Sequence, residues 1–490
     1  MTPSPHRMPG ALFDAVAAGG GGAGALRLLA RAEHSRRLAC AYAVTAAARE
    51  AGGSVAEEAG RAWELFTAAT RAAPGATAAV LTHPAAGPAL FGLLAHLTRR
   101  EDPERSPVGW YTALAAAAAV RAGLPGRVEW PVDGPWVALP SLGRARFPGA
   151  GSGGRAEVRV DAAGRARITL HGQSPADAPV PVPASPYRSE GRWHGSHLLT
   201  TLDSGVPLLL DVLDQPGFPN AVRCPDDLGA DEVRRWSAVA REACGLLRAD
   251  HPELYAELAA GGRLLVPLTN PGHGTVSGSS AETFGCVAMS RPTTATGFAV
   301  TVTHEMQHNK FAAVLHLFDL LEPGSPERFY APWRPDPRPL LGLFHGAYAH
   351  LGVARFWARR RETEPDPGLR AEAHVQFARW RLAAREATLV TLASGRLTPL
   401  GHRFADRMLH TLDALCRLPV PTSARHRAES AARAHRAAWQ ERNGSAERVE
   451  MQKTPGEQGS QLCVRGGSRT GSPRITPLTT EWDRGARPPP

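Results

Sequence analysis

The 490-residue chain is predicted to be an α+β protein, mainly helical, with a small central β region and a metal-binding helix in its C-terminal half. Apolar residues recur with helical spacing from about residue 25 to 124 and again after residue 230. Between residues 127 and 213 they alternate with polar residues, as they do in half-buried strands. One of the later helices carries His304, Glu305 and His308, which form an HExxH motif.

Four ranges follow from these changes of pattern. Residues 1–126 are predicted to form an N-terminal helical region, and residues 127–229 a β-rich region. Residues 230–442 are predicted to form a mainly helical domain that carries the HExxH motif and would be catalytic. Residues 443–490 combine Gly, Ser, Pro and Arg without periodicity, which predicts a disordered tail.

The β-rich region contains a hairpin signature. Residues 156–160 and 166–170 alternate in period two and are separated by a turn-like stretch from Asp161 to Gly164. We expect these strands, around Val158 and Ile168, to be exposed, so that an extended peptide could add to them.

The second half of the chain shows longer helical patterns. Helices are predicted at 230–260, 340–361, 368–393 and 402–418, and strands at 264–268 and 284–289, the strands flanking a loop rich in Gly and Ser. The Pro-rich stretch 322–339 is expected to be a loop.

The net charge of +10 does not predict nucleic-acid binding. Nearly all of the positive charge is Arg, since Lys occurs only at Lys310 and Lys453. Together with abundant Ala, Gly and Pro, this composition is typical of a GC-rich genome, and short Arg runs on helices are usually solvated faces. A basic cleft for an acidic peptide remains open.

The six cysteines contain no CxxC pair, which favours a reducing cytoplasm over a disulfide framework or a zinc ribbon. The N-terminus lacks a signal-peptide pattern. The Ala run 115–119 is too short to span a bilayer. The protein is therefore expected to be soluble and cytoplasmic, without a membrane partner.

The HExxH motif carries the most specific chemical signal. Two histidines four residues apart lie on one face of a helix, so that their imidazoles can hold one metal ion with the glutamate beside it. The apolar stretch 297–302 before the motif and the apolar residues Phe311 and Val314 after it predict a buried helix. The alternative is a chance match on a surface helix.

A third protein ligand is needed for a useful metal centre. The extended HExxHxxGxxH pattern fails, because positions 311 and 314 are Phe and Val. His345, followed by Gly346, is the best downstream candidate, and His350 and Glu362 are the runners-up; Glu362 would give a His-His-Glu zinc set. Four further histidines are expected to be core or loop residues: His316, His273, His194 and His197.

The region around the motif resembles a specific family. HExxH is followed by the run YAPWRPDPRPL from Tyr330 to Leu340, then by the run HGAY from His345 to Tyr348, and it is preceded by SPYR from Ser185 to Arg188. This pattern is similar to that of the HExxH-type peptide-modification proteins of ribosomal natural-product clusters, which occur alone or with maturase enzymes. The resemblance covers roughly residues 181–418 and is tight only around the PWRPDPRP and HG elements.

The resemblance implies a cytoplasmic peptide β-hydroxylase that uses Fe(II) and 2-oxoglutarate on a ribosomally made precursor peptide. His304, His308 and His345 would be the iron ligands, although three histidines also suit zinc. Arg338 and Arg334 are candidates to bind the distal carboxylate of 2-oxoglutarate, since Arg is its natural bidentate partner. The alternative is that PWRPDPRP is a rigid connector in which Arg334 pairs with Asp336.

Glu305 distinguishes the remaining interpretations. In a hydroxylase it would orient a ligand or the peptide, whereas in a zinc peptidase it would be the general base that activates a metal-bound water. A domain that only binds peptide, without catalysis, is the third interpretation.

Overall fold

The computed structural model describes residues 6–99, 108–172, 178–203, 205–211, 228–269, 275–324, 326–451 and 478–480. Helix accounts for 59% and strand for 16% of the protein, with the strands in several small sheets. The predicted α+β class, mainly helical, is therefore confirmed.

The helices of the described residues are α1 (Gly10–Ala17), α2 (Gly22–Ala51), α3 (Gly53–Ala72), α4 (Pro74–Thr82), α5 (Ala86–Thr98), α6 (Val108–Ala122), α7 (Ala230–Asp250), α8 (Pro252–Gly261), α9 (Ala295–Leu315), α10 (Leu340–Thr363), α11 (Pro367–Ala393), α12 (Pro399–Arg417) and α13 (Thr422–Met451). The strands are β1 (Gly126–Val132), β2 (Trp136–Leu139), β3 (Gly143–Arg146), β4 (Gly154–Val160), β5 (Ala166–His171), β6 (Val180–Val182), β7 (Trp193–His194), β8 (His197–Thr201), β9 (Pro207–Leu210), β10 (Leu264–Leu268), β11 (Thr275–Gly278), β12 (Cys286–Ser290), β13 (Arg328–Phe329), β14 (Arg338–Pro339) and β15 (Leu478–Thr480).

Contacts divide the protein into two compact units. The first unit comprises residues 1–6, 22–313 and 477–486, and the second comprises residues 7–21, 314–476 and 487–490. This division follows contacts rather than composition, and the four ranges inferred from the sequence stay a prediction.

The first unit contains a six-stranded mixed sheet in the order β15-β11-β12-β10-β9-β8. Its centre is parallel, since β10 runs parallel to both β12 and β9, whereas β11 and β8 join antiparallel. All residues of β10, β11 and β12 are buried. This burial explains why these strands read as continuous runs of apolar and small residues rather than as alternating ones.

The predicted hairpin is confirmed as β4 and β5, which pair antiparallel with Val158 opposite Ile168. Its turn is held by the Asp161 carboxylate, which accepts hydrogen bonds from the backbone N–H groups of Ala163 (2.9 Å) and Arg165 (3.0 Å). Gly164 supplies the positive φ of 76° that closes this turn.

The expectation that this hairpin is exposed to an incoming peptide strand is wrong. The sheet order is β1-β4-β5-β6, so both hairpin strands already have a neighbour on each side. Val158 and Ile168 are buried in the core of this unit. β1 pairs along the whole of β4, and β6 pairs with β5 from Ala166 to Ile168, where a peptide strand would otherwise add.

Several helix boundaries differ from the prediction for local reasons. The helix predicted at 230–260 is divided into α7 and α8 at Pro252, because a proline in mid-helix removes a hydrogen-bond donor and clashes with the preceding turn. Helix α12 begins at Pro399 rather than at 402, since the Thr398 hydroxyl provides its N-terminal cap by accepting from the Gly401 N–H at 3.0 Å.

Two elements are described within the range predicted to be a disordered tail, and the tail as a whole stays a prediction. Helix α13 continues past residue 443 to Met451, where the sequence AERVEM of residues 446–451 is rich in residue types of high helix propensity. Strand β15 pairs antiparallel with β11. The remainder of the tail, 452–477 and 481–490, lies outside the described residues.

The second unit is helical, with one two-stranded sheet of β13 and β14. Phe13 of α1 packs edge-on against Phe404 of α12 at 5.6 Å and against Phe318 at 5.5 Å. The Tyr348 hydroxyl of α10 donates a 2.6 Å hydrogen bond to the Val16 carbonyl at the end of α1. Aromatic packing and this buried bond attach α1 to the helices of the second unit.

Within the described part of the protein, no helix taken singly has the length and apolar character needed to cross a membrane. The bent pair α4 and α5 meets both criteria only when the two helices are joined across a 78° bend. The four cysteines that the structure describes (Cys40, Cys244, Cys286 and Cys416) are free thiols.

A buried ion pair fixes α9 in the first unit. The Lys310 ammonium lies 3.0 and 2.9 Å from the two carboxylate oxygens of Glu257 in α8, and both residues are almost fully buried. Glu257 also accepts a 3.0 Å hydrogen bond from the Gly22 N–H at the start of α2. One carboxylate therefore joins three helices, in a place where leaving either charge alone is costly.

We expect Lys310→Met to lower the free energy of unfolding by about 3–5 kcal/mol, because it leaves the Glu257 carboxylate buried without its cation. Urea denaturation followed by circular dichroism measures this loss. The control is the double variant Lys310→Met with Glu257→Leu, which removes both charges and is expected to recover most of the stability. A single variant as stable as the parent protein would contradict this role for the pair.

Candidate metal centre

The HExxH motif lies on α9, which follows the buried strand β12 in the first unit. The helix is capped by Thr294, whose hydroxyl accepts from the Gly297 N–H at 3.0 Å. The sequence prediction of a buried helix is confirmed. The sequence does not predict that many of the buried residues of this helix are polar. Seven polar residues of the helix are buried: Thr301, Thr303, His304, Glu305, Gln307, Asn309 and Lys310. Buried polar residues in such number require partners or a function.

The two motif histidines converge. The Nε2 atoms of His304 and His308 are 3.1 Å apart, and their rings are nearly perpendicular, with centroids at 4.7 Å. His304 is 1% exposed, whereas His308 is partly exposed. Two imidazole nitrogens bound to one metal at about 2.0–2.1 Å, with an angle between tetrahedral and octahedral, lie roughly 2.9–3.4 Å apart. The observed separation therefore fits a shared metal ion.

Glu305 is held by the sheet. Its carboxylate is fully buried, and Oε1 accepts a 2.8 Å hydrogen bond from the Ser277 hydroxyl on β11. Burial raises the pKa of Glu305 to about 7, although hydrogen bonding from Ser277 and Ser279 opposes the rise. A carboxyl fixed by a neighbouring strand suits a positioning role beside the histidines better than that of a base that must reach a substrate.

Asn309, one residue after the motif, fixes the helix against the sheet. Its amide NH₂ donates to the Cys286 carbonyl at 3.1 Å, and its amide oxygen accepts from the Gly285 N–H at 2.9 Å. Gly285 has a φ of 88°, and a Cβ there would lie 2.9 Å from the Gly261 carbonyl oxygen, so glycine is required. Sequence reasoning missed Asn309, because a single Asn on a helix gives no signal until its partners are known.

The third predicted ligand, His345, lies on α10 in the second unit and is half-buried. Across the described ranges, no group of three or more His, Cys, Asp or Glu residues is arranged to hold a metal ion. The structure thus brings His304 and His308 together, and His345 as the third ligand stays a prediction.

The runner-up His350 is a packing residue of the second unit. Its ring lies between Trp333 (centroids at 4.3 Å) and Trp380 (4.6 Å), and Nδ1 hydrogen-bonds to the Gly346 carbonyl at 2.9 Å. Burial lowers the pKa of His350 to about 3 and so keeps the ring neutral. Glycine is required at position 346 to make room for this stack, because a Cβ there would lie 2.5 Å from the Trp333 ring.

Glu362 is 57% exposed at the end of α10, beside Arg359 at 3.8 Å and Arg361 at 3.9 Å. His316 lies half-buried just after α9, and His194 packs edge-on against Trp136 at 5.1 Å. His197 is half-buried in β8, and His273 lies outside the described residues.

Arg334 and Arg338 both contact Asp336 in the second unit. Arg334 Nε donates to Oδ1 at 2.9 Å and Arg338 Nη1 to Oδ2 at 3.2 Å. Burial alone would raise the pKa of Asp336, but attraction from Arg334 and hydrogen bonds from both arginines hold it below its usual range. The pairing of Arg334 with Asp336 is therefore observed, and both the connector interpretation and 2-oxoglutarate binding by either arginine stay predictions.

Comparison with protein-family models and with curated protein sequences gives no significant match to this protein.

We expect Gly346→Ala to destabilise the protein by about 1–3 kcal/mol, because the added methyl would overlap the Trp333 ring and displace its stacking on His350. Thermal unfolding measures the change. The matched control on the same helix is Gly342→Ala, where the nearest atom is Arg338 Nε at 3.3 Å, on a flexible side chain. That variant should be neutral or gain up to about 1 kcal/mol from the helix propensity of Ala. Equal losses in both variants would argue against the ring contact.

Proposed function

We propose that the protein is an Fe(II)- and 2-oxoglutarate-dependent hydroxylase that acts on the β-carbon of a residue in a ribosomally synthesised precursor peptide. The observation that carries the metal centre is the 3.1 Å separation of the His304 and His308 Nε2 atoms on a buried helix. The reaction class rests on the resemblance of the PWRPDPRP and HGAY elements, and the compartment is proposed to be the cytoplasm.

His304, His308 and His345 would hold the metal as neutral imidazoles. When bound, iron with 2-oxoglutarate and dioxygen supplies the oxidation that converts the β-carbon C–H bond of the substrate residue into C–OH, with succinate and carbon dioxide as the other products. Two further residues of the protein fix the position of the motif helix. Ser277 and Asn309 hold the motif helix against β11 and β12, so that the two imidazoles keep one orientation.

The zinc peptidase is the second candidate, since Glu305 lies within the motif that gives such enzymes their general base. A pKa of about 7 suits a base at neutral pH. The complete burial of Glu305 and its bond to Ser277 favour the hydroxylase instead. A module that binds peptide without catalysis is the third outcome.

We expect His304→Ala, His308→Ala and His345→Ala each to reduce iron retained after anaerobic reconstitution and desalting by roughly tenfold or more, since each removes a ligand. Metal analysis and circular dichroism measure content and folding. His410→Ala, at an exposed position of α12, is the control and should retain the metal. Full metal content in the His345 variant would remove that residue from the site and leave the pair with a different third ligand.

We expect the reconstituted full-length protein, given iron, 2-oxoglutarate and precursor peptide under oxygen, to increase the peptide mass by one oxygen atom and to release succinate in equal amount. Mass spectrometry of the peptide and succinate analysis measure both products. Cleavage of the peptide with zinc and without 2-oxoglutarate, abolished by Glu305→Gln, would establish the peptidase instead. Binding without any change of mass would leave only the peptide-binding module.

A further inference from the structure

The first unit contains a cavity of about 330 Å³ that the proposed metal centre does not use. Helix α2, the segment that links α4 to α5 and the start of β10 contribute to its lining, and none of the HExxH residues does. Its volume is at the lower end for a small-molecule site. A cavity of this size with its own polar lining can bind a ligand independently of the histidine pair.

The charged lining of the cavity is mainly cationic. Arg37, Arg121 and Arg263 line it, and Glu33 is the one carboxylate among its lining residues. That carboxylate lies 3.5 Å from the guanidinium of Arg36 and also attracts the charge of Arg37. Arg121 and Arg263 form no ion pair with the described residues, and arginines of this kind in a concave site attract anions.

Arg37 is a structural member of this group. Its Nη1 donates to the carbonyls of Leu81 (3.0 Å) and His83 (3.2 Å), and its Nη2 to those of Glu282 (3.2 Å) and Phe284 (3.4 Å). It is 1% exposed. Arg37 therefore shapes the wall, while the nearby carboxylates of Glu33 and Glu282 offset part of its charge.

Arg121, by contrast, is positioned by neutral groups and keeps donors to offer. Its Nε donates to the Ser141 hydroxyl at 2.8 Å and its Nη2 to the Ser141 carbonyl. Ser141 has a φ of 76° and is the one non-glycine residue with positive φ in the described ranges. Such backbone strain persists where the surrounding structure needs it, often at binding sites. Here it aims a hydroxyl and a carbonyl at the same guanidinium.

The SPYR element forms the facing wall. Pro186 and Tyr187 line the cavity, and the Ser196 N–H donates to the Pro186 carbonyl at 3.1 Å. A Cβ at Gly195 would lie 2.5 Å from the Pro186 carbonyl oxygen, so the segment packs directly on this glycine. Tyr187 is 39% exposed despite this rigid support. Its phenol is therefore available to a ligand in the cavity.

We propose that this cavity is a second binding site, specific for a carboxylate, in which Arg121 and Arg263 bind the anion and Tyr187 contacts its body. Arg263 is exposed and forms no ion pair with the described residues. Arg121, held by Ser141, offers Nη1 and its remaining N–H to one carboxylate. The ligand is either the acidic side chain of a peptide or a free dicarboxylate. This inference does not depend on the metal centre.

The test is isothermal titration calorimetry on the full-length protein with two probes. One probe is glutarate, which has no 2-oxo group with which to chelate a metal, and the other is an acetylated hexapeptide of alternating Glu and Gly. We expect Arg121→Gln and Arg263→Gln each to weaken binding of the preferred probe by about tenfold or more, the usual effect of losing a hydrogen bond to a charged group. Ser141→Gly should weaken probe binding several-fold, because Arg121 loses the hydroxyl that positions it. The same variant should not lower thermal stability, because glycine adopts the positive φ without strain.

The controls separate this site from the metal centre. Arg241→Gln, an exposed arginine of α7 that does not line the cavity, should bind both probes as the parent protein does. The variant with both His304→Ala and His308→Ala should also retain binding, so that failure of the metal proposal leaves this one intact. If the Arg121 and Arg263 variants lose affinity only for the Glu peptide, and a peptide with Gln in place of Glu does not bind the parent protein, the ligand is a peptide. If they lose affinity only for glutarate, the ligand is a free dicarboxylate. Affinities in the Arg121 and Arg263 variants equal to that of Arg241→Gln would overturn the proposal.

Discussion

The attachment of one polar, fully buried helix to a buried sheet is the constraint on which the first unit depends. Helix α9 is not held by apolar contacts alone. Asn309 links it to the backbone around Cys286, Ser277 bonds to Glu305, and Lys310 pairs with Glu257. Each of these groups would cost free energy if it were buried without its partner, so the helix is stable in only one register against the sheet.

This register decides the chemistry that the helix can support. Once Asn309 and Glu305 bond to the sheet, the periodicity of the helix turns His304 and His308 to a common direction. Their rings converge to a separation that suits a shared metal ion. The same attachment places Glu305 out of solvent, against β11. The motif is thus a pair of converging imidazoles next to a carboxyl that is fixed against β11.

Arginine has two roles in this basic protein. In many places it is structural: Arg37 donates to four carbonyls, and Arg334 and Arg338 share Asp336. At the cavity, Arg121 is held by neutral partners and keeps its charge available. The net charge of +10 does not separate these cases. The difference lies in how many donors of each guanidinium are already bonded and in whether a carboxylate is nearby.

The sequence alone determined the class of the fold and the character of its main elements. Period-two alternation and the turn residues from Asp161 to Gly164 predicted the β4–β5 hairpin, because these signals are local. The HExxH spacing placed two histidines on one face of a buried helix for the same reason. Residue spacing also predicted most of the later helices, with errors of a few residues where Pro252 and Thr398 set the ends.

Only the tertiary structure decided which of these local features is available for function. The hairpin strands proved to be internal, because β1 pairs with one of them and the three-residue strand β6 pairs with the other. His350, a reasonable ligand by spacing, is enclosed by two tryptophans, and one of them, Trp333, belongs to the PWRPDPRP element. Partners far apart in the sequence cannot be identified from periodicity, since their contact depends on how whole elements pack.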